Sequence, residues 1–264
     1  IVAVGSNKEI RERAPKGTVF HDLKGRTLMP GFVEAHGHFP GAGLDAAAVD
    51  LNSPPIAQTL SIEEALQVLK QRHDVLPEDR WLVGFGYDDT MLKEGRHPTR
   101  LELDGVSRER PIYLVHISGH FGVGNSAAME ALGITRDTPN PEGGEIGHSG
   151  DGELNGLLAE NAHHEGAKKA YSFPLLPQLA IVRDAVTEYA SNGVTTVQSG
   201  LVDKKLLGSL SLLSRAGLIS QRLVLWPDIE AALAEVDDGA NLKRHNHKKT
   251  TIGAAKIIAD GSIQ

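Results

Sequence analysis

Apolar residues along the chain form two kinds of pattern. In some segments they occur in short, nearly continuous runs, which predict buried strands, and in others they recur every three or four positions, which predicts amphipathic helices. The predicted strands are Phe32–Val33, Trp81–Tyr87, Pro111–Ser118, Val194–Gln198, Arg222–Trp226 and Ile252–Ala259. The predicted helices are a segment that begins after Ser61, followed by Leu179–Ser191, Leu206–Ala216 and Ile229–Val236.

Local signals mark where these elements begin and end. Ser61 and Glu64 have the spacing of a capping box at the start of the first helix, and Asn192-Gly193 supplies a stop for the second. Residues 88–110 are predicted to be a polar linker, and residues 138–156, rich in Gly, Pro and Asn, a long irregular loop.

Strands that alternate with helices predict parallel β/α units, and the apolar later strands fit a sheet that is covered on both faces. An open doubly wound sheet and a (β/α)8 barrel both satisfy this pattern, but no Gly-x-Gly-x-x-Gly motif follows a strand, so we favour the barrel. Strand-like pieces at Ile1–Val4 and Thr18–Phe20 predict a small β element in residues 1–27. The larger domain then occupies residues 28–264, with an insertion at roughly 88–170.

Composition narrows the classes of protein that fit. The 264 residues carry 27 Lys and Arg against 34 Asp and Glu, a net charge of −7, which argues against a nucleic-acid or anionic-membrane partner. No apolar stretch approaches the ~20 residues of a membrane helix. With 40% hydrophobic residues and no cysteine, we expect a globular, cytoplasmic protein without disulfides, thiolate metal sites or a cysteine nucleophile, and a homo-oligomer stays open.

The sequence His36-Gly37-His38 closely follows the predicted strand Phe32–Val33. Alternate residues of an extended segment point the same way, so both imidazoles would face the mouth of a barrel, where two neutral rings suit Zn²⁺ or a similar divalent metal. The alternative interpretation is two histidines in a polar loop. A second pair, His245-Asn246-His247, has the same spacing, but no strand precedes it and four lysine or arginine residues surround it. Because those cations would repel a metal ion, the first pair is the stronger candidate.

Lys256 lies inside the predicted strand Ile252–Ala259, on the same face as Asp260. An unpaired ammonium group is costly to bury, so this position needs a reason. Three reasons stay open. The side chain reaches solvent from an edge strand, or it is a Schiff-base lysine with a depressed pKa, or it has reacted with CO₂ to give a carboxylate that bridges two metal ions.

Two further residues follow predicted strands and could reach a cleft. His120, flanked by glycines, comes after Pro111–Ser118, and Tyr87 ends its own strand just before Asp88-Asp89. Capping and turn roles explain the polar residues in these two places equally well. The pattern alone therefore leaves both interpretations open.

Five segments of the chain, in order, resemble motifs of the amidohydrolase superfamily and, within it, of the YtcJ-like branch that includes N-substituted formamide deformylases. They are Leu28–His38, Trp81–Asp88, Ser118–Ser126, Pro141–Gly144 and Lys256–Ser262. The resemblance implies a distorted (β/α)8 barrel flanked by a small β-sandwich. It also implies one or two divalent metal ions, usually zinc, and hydrolysis of an amide-type C–N bond.

The resemblance also implies roles for the candidate residues. His36 and His38 would bind the first metal, and carboxylated Lys256 would bridge two metals. His120 and Tyr87 would lie near the substrate, a small amide. The family's remaining metal ligands, two more histidines and an aspartate that also shuttles the proton, would follow the Lys256 motif, beyond Gln264.

A (β/α)8 domain takes ~250 residues, and the insertion uses many of those present here. We therefore expect the chain to hold only the N-terminal part of the barrel, cut from a longer protein. Two other functions stay open on the sequence: a Schiff-base lyase or aldolase that uses Lys256, and a non-catalytic truncated barrel that acts as a scaffold or binding protein.

Overall fold

The computed structural model describes residues 2–237 and 242–258 of the chain. Two compact units are present, Ile1–Gly31 and Phe32–Gln264. The second unit is an α/β structure whose described residues form two sheets, one of four strands and one of six. Within the described ranges, no helix combines the length and apolar content needed to cross a membrane.

The first unit contains a short helix, α1 (Asn7–Arg13), that begins at a capping box. The hydroxyl of Ser6 accepts a hydrogen bond from the N–H of Glu9, whose carboxylate accepts one from the N–H of Ser6. Residues 2–4 and 18–20 are not in strands, so the strands predicted there are wrong; Ile1 lies outside the described residues. Apolar side chains in these stretches, such as Val2, are exposed, and no strand among the described residues pairs with them.

The second unit contains the remaining elements. Its α-helices are α2 (Ile62–His73), α3 (Arg100–Asp104), α4 (Ser126–Ala131), α5 (Asn161–Ala170), α6 (Leu175–Ser191), α7 (Lys204–Arg215) and α8 (Ile229–Asp237). Its strands are β1 (Phe32–Val33), β2 (Val49–Asp50), β3 (Leu82–Tyr87), β4 (Ile112–His116), β5 (Phe121–Gly124), β6 (Gly144–His148), β7 (Leu154–Glu160), β8 (Val194–Val202), β9 (Arg222–Pro227) and β10 (Thr250–Ile252). Short 3-10 helices, Gly41–Ala46 and Leu242–His245, lie between these elements.

The four-stranded sheet has the order β1-β8-β9-β10, and its strands are parallel. Helices α6 and α7 pack against it, and apolar side chains such as Val182, Val197 and Leu207 form the core between them. Each of β8, β9 and β10 follows a helix in the chain, as the predicted β/α alternation requires. This part of the fold agrees with the sequence pattern.

The two outer strands of this sheet differ from their predictions. Phe32 and Val33 pair with β8 on one side only and are 53% and 69% exposed, so this strand is not buried as predicted. The predicted strand Ile252–Ala259 reduces to β10, which ends at Ile252. Among the described residues beyond it, Lys256 pairs through an isolated bridge to Asp228, and Ala259 lies outside the described residues.

The six-stranded sheet, formed within residues 49–160, has the order β2-β3-β4-β5-β7-β6. Strands β2, β3 and β4 are parallel, whereas β5, β6 and β7 pair antiparallel, so the predicted parallel β/α units account for only part of this sheet. Every residue of β4 is buried, and its side chains alternate between two cores: Leu114 packs with α2 on one face and Tyr113 packs with α4 and α5 on the other. This confirms that a continuous apolar run predicts a strand covered on both faces.

Two segments predicted as irregular contain regular structure. Residues 138–156 hold β6 and the start of β7, joined by a turn in which the N–H of Gly152 donates to the carbonyl oxygen of Ser149 over 2.8 Å. Gly152 has a φ of +80°, so the glycines that predicted a loop instead supply the turn of a hairpin. Residues 88–110 contain the short helix α3, which begins at a capping box between Thr99 and Glu102.

The sequence signals for the start of α2 and the end of α6 are both present in the structure, the first of them only in part. The hydroxyl of Ser61 accepts from the N–H of Glu64 at the start of α2, but the carboxylate of Glu64 accepts from the N–H of Leu60 and not from that of Ser61. Helix α6 ends before Asn192-Gly193, where Gly193 has a φ of +74°, and β8 begins immediately afterwards.

Candidate functional site

The histidine pair lies at the carboxyl-terminal edge of the four-stranded sheet. The segment His36-Gly37-His38 follows β1 and is fixed to β8 through its backbone. The N–H of Gly200 donates to the carbonyl oxygen of Gly37 over 2.8 Å, and the N–H of Phe39 donates to the carbonyl oxygen of Gln198 over 3.1 Å. Parallel β/α sheets build their sites at this edge.

The two imidazole rings are neighbours. The ring centroids of His36 and His38 are 5.5 Å apart in an edge-to-face arrangement, and the ring of Trp226 lies 5.9 Å from that of His36. Although both histidines reach the surface, partial burial of the ring lowers the pKa of His38, and the proximity of His36 lowers it further. His38 is therefore neutral at pH 7, which is the form that binds a metal ion.

The backbone of Gly200, which favours the charged form of the ring, opposes this shift in the pKa of His38. A neutral imidazole keeps a lone pair on one nitrogen, which a metal ion can bind. The environment of His38 thus fits a divalent metal ion.

Lys256 reaches the same edge of the sheet. Its backbone N–H donates to the carbonyl oxygen of Pro227, the last residue of β9, over 2.7 Å. The lysine is half-buried, and its charge, after burial and His36, contributes to lowering the pKa of His38. The structure therefore brings His36, His38 and Lys256 together, whereas Asp260 lies outside the described residues.

A second group of ionisable side chains lies at the carboxyl ends of β3 and β4. Asp88, Asp89 and His116 each offer a ligand atom within 4.8 Å of the others, a spacing that could hold a metal ion. The phenol oxygen of Tyr87 lies 3.0 Å from Nδ1 of His97, and both rings contact that of His116. We call these five residues the acidic–aromatic cluster.

Burial determines protonation in the acidic–aromatic cluster. It lowers the pKa of His97 and of His116, and it raises the pKa of the Tyr87 phenol well above its usual value. Hydrogen bonds from the hydroxyl and N–H of Thr90 lower the pKa of Asp88. At pH 7 the cluster therefore combines neutral rings with an ionised carboxylate, and Asp88 has the turn role that the sequence left open.

Ser118 sets the tautomer of His116. The backbone N–H of Ser118 donates to Nδ1 of His116 over 3.1 Å, so the neutral ring carries its proton on Nε2. That nitrogen lies 3.0 Å from Oδ1 of Asp89, but the angle does not make a hydrogen bond. A metal ion bound to Nε2 would have to displace this proton.

His120 lies beside the acidic–aromatic cluster. Its Nδ1 is 2.8 Å from Oε2 of Glu160, at the end of β7, and its charge affects the pKa of His116. Tyr87 contacts His97 and His116, and His120 contacts Glu160, all in or beside the six-stranded sheet. His36, His38 and Lys256 instead lie at the carboxyl edge of the four-stranded sheet. The structure therefore divides the five predicted site residues into a group of three and a group of two.

Sequence analysis missed several residues of both groups. His116 is an ionisable residue inside the predicted buried strand Pro111–Ser118, which is the same signal that selected Lys256, and it could have been found in that way. Glu160 contacts His120, 40 positions away in the sequence, and Gln198 contacts Gly37, 161 positions away. No local pattern predicts either contact.

Known proteins resemble this chain over most of its length. The profile of a family described as the amidohydrolase family matches residues 20–264. The N-substituted formamide deformylase of Arthrobacter pascens is 32% identical over 209 residues, which cover 78% of this chain and 38% of that protein. The putative amidohydrolase YtcJ of Bacillus subtilis is 30% identical over 275 aligned residues, which cover 100% of this chain and 49% of that protein. A solved structure of an uncharacterized metal-dependent hydrolase from Pyrococcus horikoshii superposes with a TM-score of 0.67 at 26% identity, covering 97% of this chain and 47% of that one.

The chain spans about half, or less, of the length of these relatives. The family profile nevertheless covers nearly all of the sequence and includes both the His36-Gly37-His38 segment and Lys256. The resemblance drawn from five short motifs is thus confirmed, and the chain belongs to the amidohydrolase family.

Proposed function

We propose that this chain forms part of a metal-dependent hydrolase that cleaves an amide-type C–N bond, and that residues 28–264 are the N-terminal part of a (β/α)8 barrel. The observation that carries the proposal is the gathering of His36, His38 and Lys256 at the carboxyl edge of a parallel sheet. Catalytic groups of such barrels lie at that edge. Membership of the amidohydrolase family supports the reaction class.

His36 and His38 would hold a divalent ion, for which we propose zinc, through one nitrogen of each ring. His38 is suited to this because burial and the proximity of His36 keep its ring neutral. Lys256 would join them after its neutral amine reacts with CO₂, a step that forms an N–C bond and releases a proton to solvent. The resulting carboxylate would replace a cation beside two imidazoles with an anion that binds metal.

When bound, the ion lowers the pKa of a coordinated water and polarises the carbonyl of the amide. The residues of this chain would bind the ion and orient the amide substrate. The backbone bonds of Gly37 and Phe39 to β8 fix the direction of both imidazoles. The indole of Trp226, 5.9 Å from the ring of His36, offers an apolar surface against which the substituent of an amide can pack.

N-substituted formamides are the substrates we propose first, because a relative that is 32% identical bears the name of a deformylase for them. His120 remains a proposed substrate contact, because Glu160 orients its ring. Tyr87 is fully buried with its hydroxyl against His97, so it would act on a substrate through His97 and not directly.

Removal of one histidine tests the metal site. We expect His36→Ala to lose bound metal, measured by atomic emission on the purified protein, and to lose hydrolysis of an N-substituted formamide. His247→Ala is the matched control, because it removes one ring from the chain's other His-x-His pair. Metal content equal to that of the unmodified protein in His36→Ala would overturn the proposal.

A substrate series tests the bond that is cleaved. We expect hydrolysis of an N-alkylformamide to exceed that of the matching N-alkylacetamide, and chelation of the metal to abolish both. Hydrolysis of an ester series with no turnover of any amide would contradict the proposed reaction while leaving the metal site intact.

A further inference from the structure

The residue between the two histidines is held by a buried side chain. The N–H of Gly37 donates to Oε1 of Gln198 over 2.7 Å, and Gln198, in β8, is 2% exposed. A peptide group tied to a buried amide has little freedom to rotate. Because this peptide group joins His36 to Gly37, the residue that leads directly to His38, the bond limits how both rings project from the edge of the sheet.

Glu34 holds Gln198 in turn. Its Oε2 accepts from the backbone N–H of Gln198 over 2.9 Å, and its Oε1 accepts from the hydroxyl of Tyr189, on α6, over 3.0 Å. A Cβ added to Gly37 would lie 2.2 Å from Oε1 of Glu34, so this carboxylate fills the space beside the glycine. The carboxylate thus links the histidine segment, β8 and α6.

The orientation of the Gln198 amide shows which contact it serves. Its Oε1 faces Gly37, which leaves Nε2 buried and without a hydrogen-bond partner among the described residues. The reverse orientation would place two N–H donors against each other. Burying an unpaired donor is costly, so the fold retains the bond to Gly37 at the expense of Nε2.

We propose that Gln198 and Glu34 are positioning residues for the metal ligands. Glu34 fixes Gln198, and Gln198 fixes Gly37, so that His36 and His38 can bind the same ion. The inference rests on the proposed function, since it requires that the two histidines bind metal. Outer hydrogen-bond partners of metal sites act in this way and change metal affinity when they are removed.

The chain contains a matched glutamine that is far from the histidines. Gln221, just before β9, is 4% exposed, and its Nε2 donates to the carbonyl oxygen of Val186 over 2.9 Å. It is as buried as Gln198, lies in the same sheet region and makes a side-chain bond to backbone. A purely structural role of Gln198 therefore predicts that the two glutamines respond alike to substitution.

The experiment compares Gln198→Met, Gln221→Met and Gln198→Glu in the purified protein. Zinc affinity is measured by competition with a chromophoric chelator, ligand geometry by the visible absorption of the Co²⁺ form, and folding by the Tm of the metal-free protein. We expect Gln198→Met to weaken zinc binding by about 10- to 100-fold and to change the Co²⁺ spectrum. Gln221→Met should lower Tm by a similar amount but leave both metal readouts unchanged.

Gln198→Glu retains an acceptor for the N–H of Gly37, so we expect it to recover most of the affinity lost in Gln198→Met. Equal zinc affinity in Gln198→Met and Gln221→Met would overturn the inference, as would a Gln198→Glu variant that binds as weakly as Gln198→Met. If Gln198→Met does not fold, the Glu variant against the unmodified protein decides: a loss of about 10-fold or more contradicts the positioning role.

His36→Ala separates this inference from the proposed function. Metal retained in His36→Ala overturns both. Metal lost in His36→Ala together with unchanged affinity in Gln198→Met overturns the positioning role alone.

Discussion

Glu160 holds His120 at two points. Its Oε2 lies 2.8 Å from Nδ1 of the His120 ring, and its backbone N–H donates to the His120 carbonyl oxygen, also over 2.8 Å. Glu160 has a φ of +50°, which residues other than glycine seldom adopt and which costs of order 1–3 kcal/mol. The fold retains this conformation at the residue whose carboxylate orients the His120 ring through Nδ1.

If His120 contacts substrate, Glu160 acts through it. We expect His120→Ala and Glu160→Gln each to lower kcat/KM for the best amide substrate by about 10-fold or more, and the double variant to be little worse than His120→Ala. Glu165→Gln, at an exposed glutamate on helix α5, which begins directly after Glu160, is the control and should retain full activity. Losses that multiply in the double variant would show that the two residues act independently.

Gly37 has no room for a side chain. A Cβ there would lie 2.2 Å from Oε1 of Glu34, and that carboxylate cannot move without breaking its bonds to Tyr189 and Gln198. We expect Gly37→Ala to weaken metal binding by about 10-fold or more. In a Glu34→Ala background the same change should cost less, because the opposing carboxylate is gone, and a double-mutant cycle on metal affinity measures this coupling. A Gly37→Ala effect that is equal in both backgrounds would rule out this cause.

His163 makes stability depend on pH. Burial lowers its pKa to about 4 from the usual 6.5, and its Nδ1 lies 3.1 Å from the hydroxyl of Tyr113. Because the unfolded chain takes up this proton near pH 6.5 and the folded chain only near pH 4, the stabilisation is complete above pH 6.5 and is lost as pH falls toward 4. Between pH 8 and pH 5 this group should cost about 2 kcal/mol of the free energy of unfolding.

Urea unfolding at the two pH values checks this. His163→Gln should reduce the difference in unfolding free energy between pH 8 and pH 5 by about 2 kcal/mol. His164→Gln, its exposed neighbour on α5, should leave that difference nearly unchanged. If the His163 variant keeps the full pH dependence, another group is responsible for it.

The sequence pattern predicted the parts of the structure that depend on local information. The alternation of β8, α7, β9 and α8 follows from apolar periodicity, and the ends of α2 and α6 follow from capping residues. The His36-Gly37-His38 segment stood out because it closely follows an apolar strand, and Lys256 because an ammonium group inside a predicted buried strand is costly. Each of these signals lies within about ten consecutive residues.

The remaining features depend on contacts between distant residues. Phe32 and Val33 are apolar yet exposed, because their strand lies at the edge of its sheet and pairs on one side only. The bond between Gly37 and Gln198 joins positions 161 residues apart, and β6 pairs with β7 although its sequence has the composition of a loop. A local pattern cannot specify which strand lies at the edge of a sheet or which two distant polar groups form a hydrogen bond.

Gly43 provides a test of how the packing next to the histidine pair affects metal binding. It lies in the 3-10 helix Gly41–Ala46, which follows His38 closely and packs on α6, and a Cβ there would lie 1.9 Å from the carbonyl oxygen of Ile181. Because the opposing oxygen belongs to the backbone of α6 and cannot rotate away, Gly43→Ala must separate the two helices, and we expect a loss of about 3 kcal/mol in unfolding free energy. Gly41→Ala, in the same 3-10 helix, meets no atom within 4 Å and should be neutral. Helix α6 leads into β8, which holds the histidine segment, so Gly43→Ala should also weaken metal binding. A loss of stability with unchanged metal affinity would show that the histidine pair is held by β8 alone.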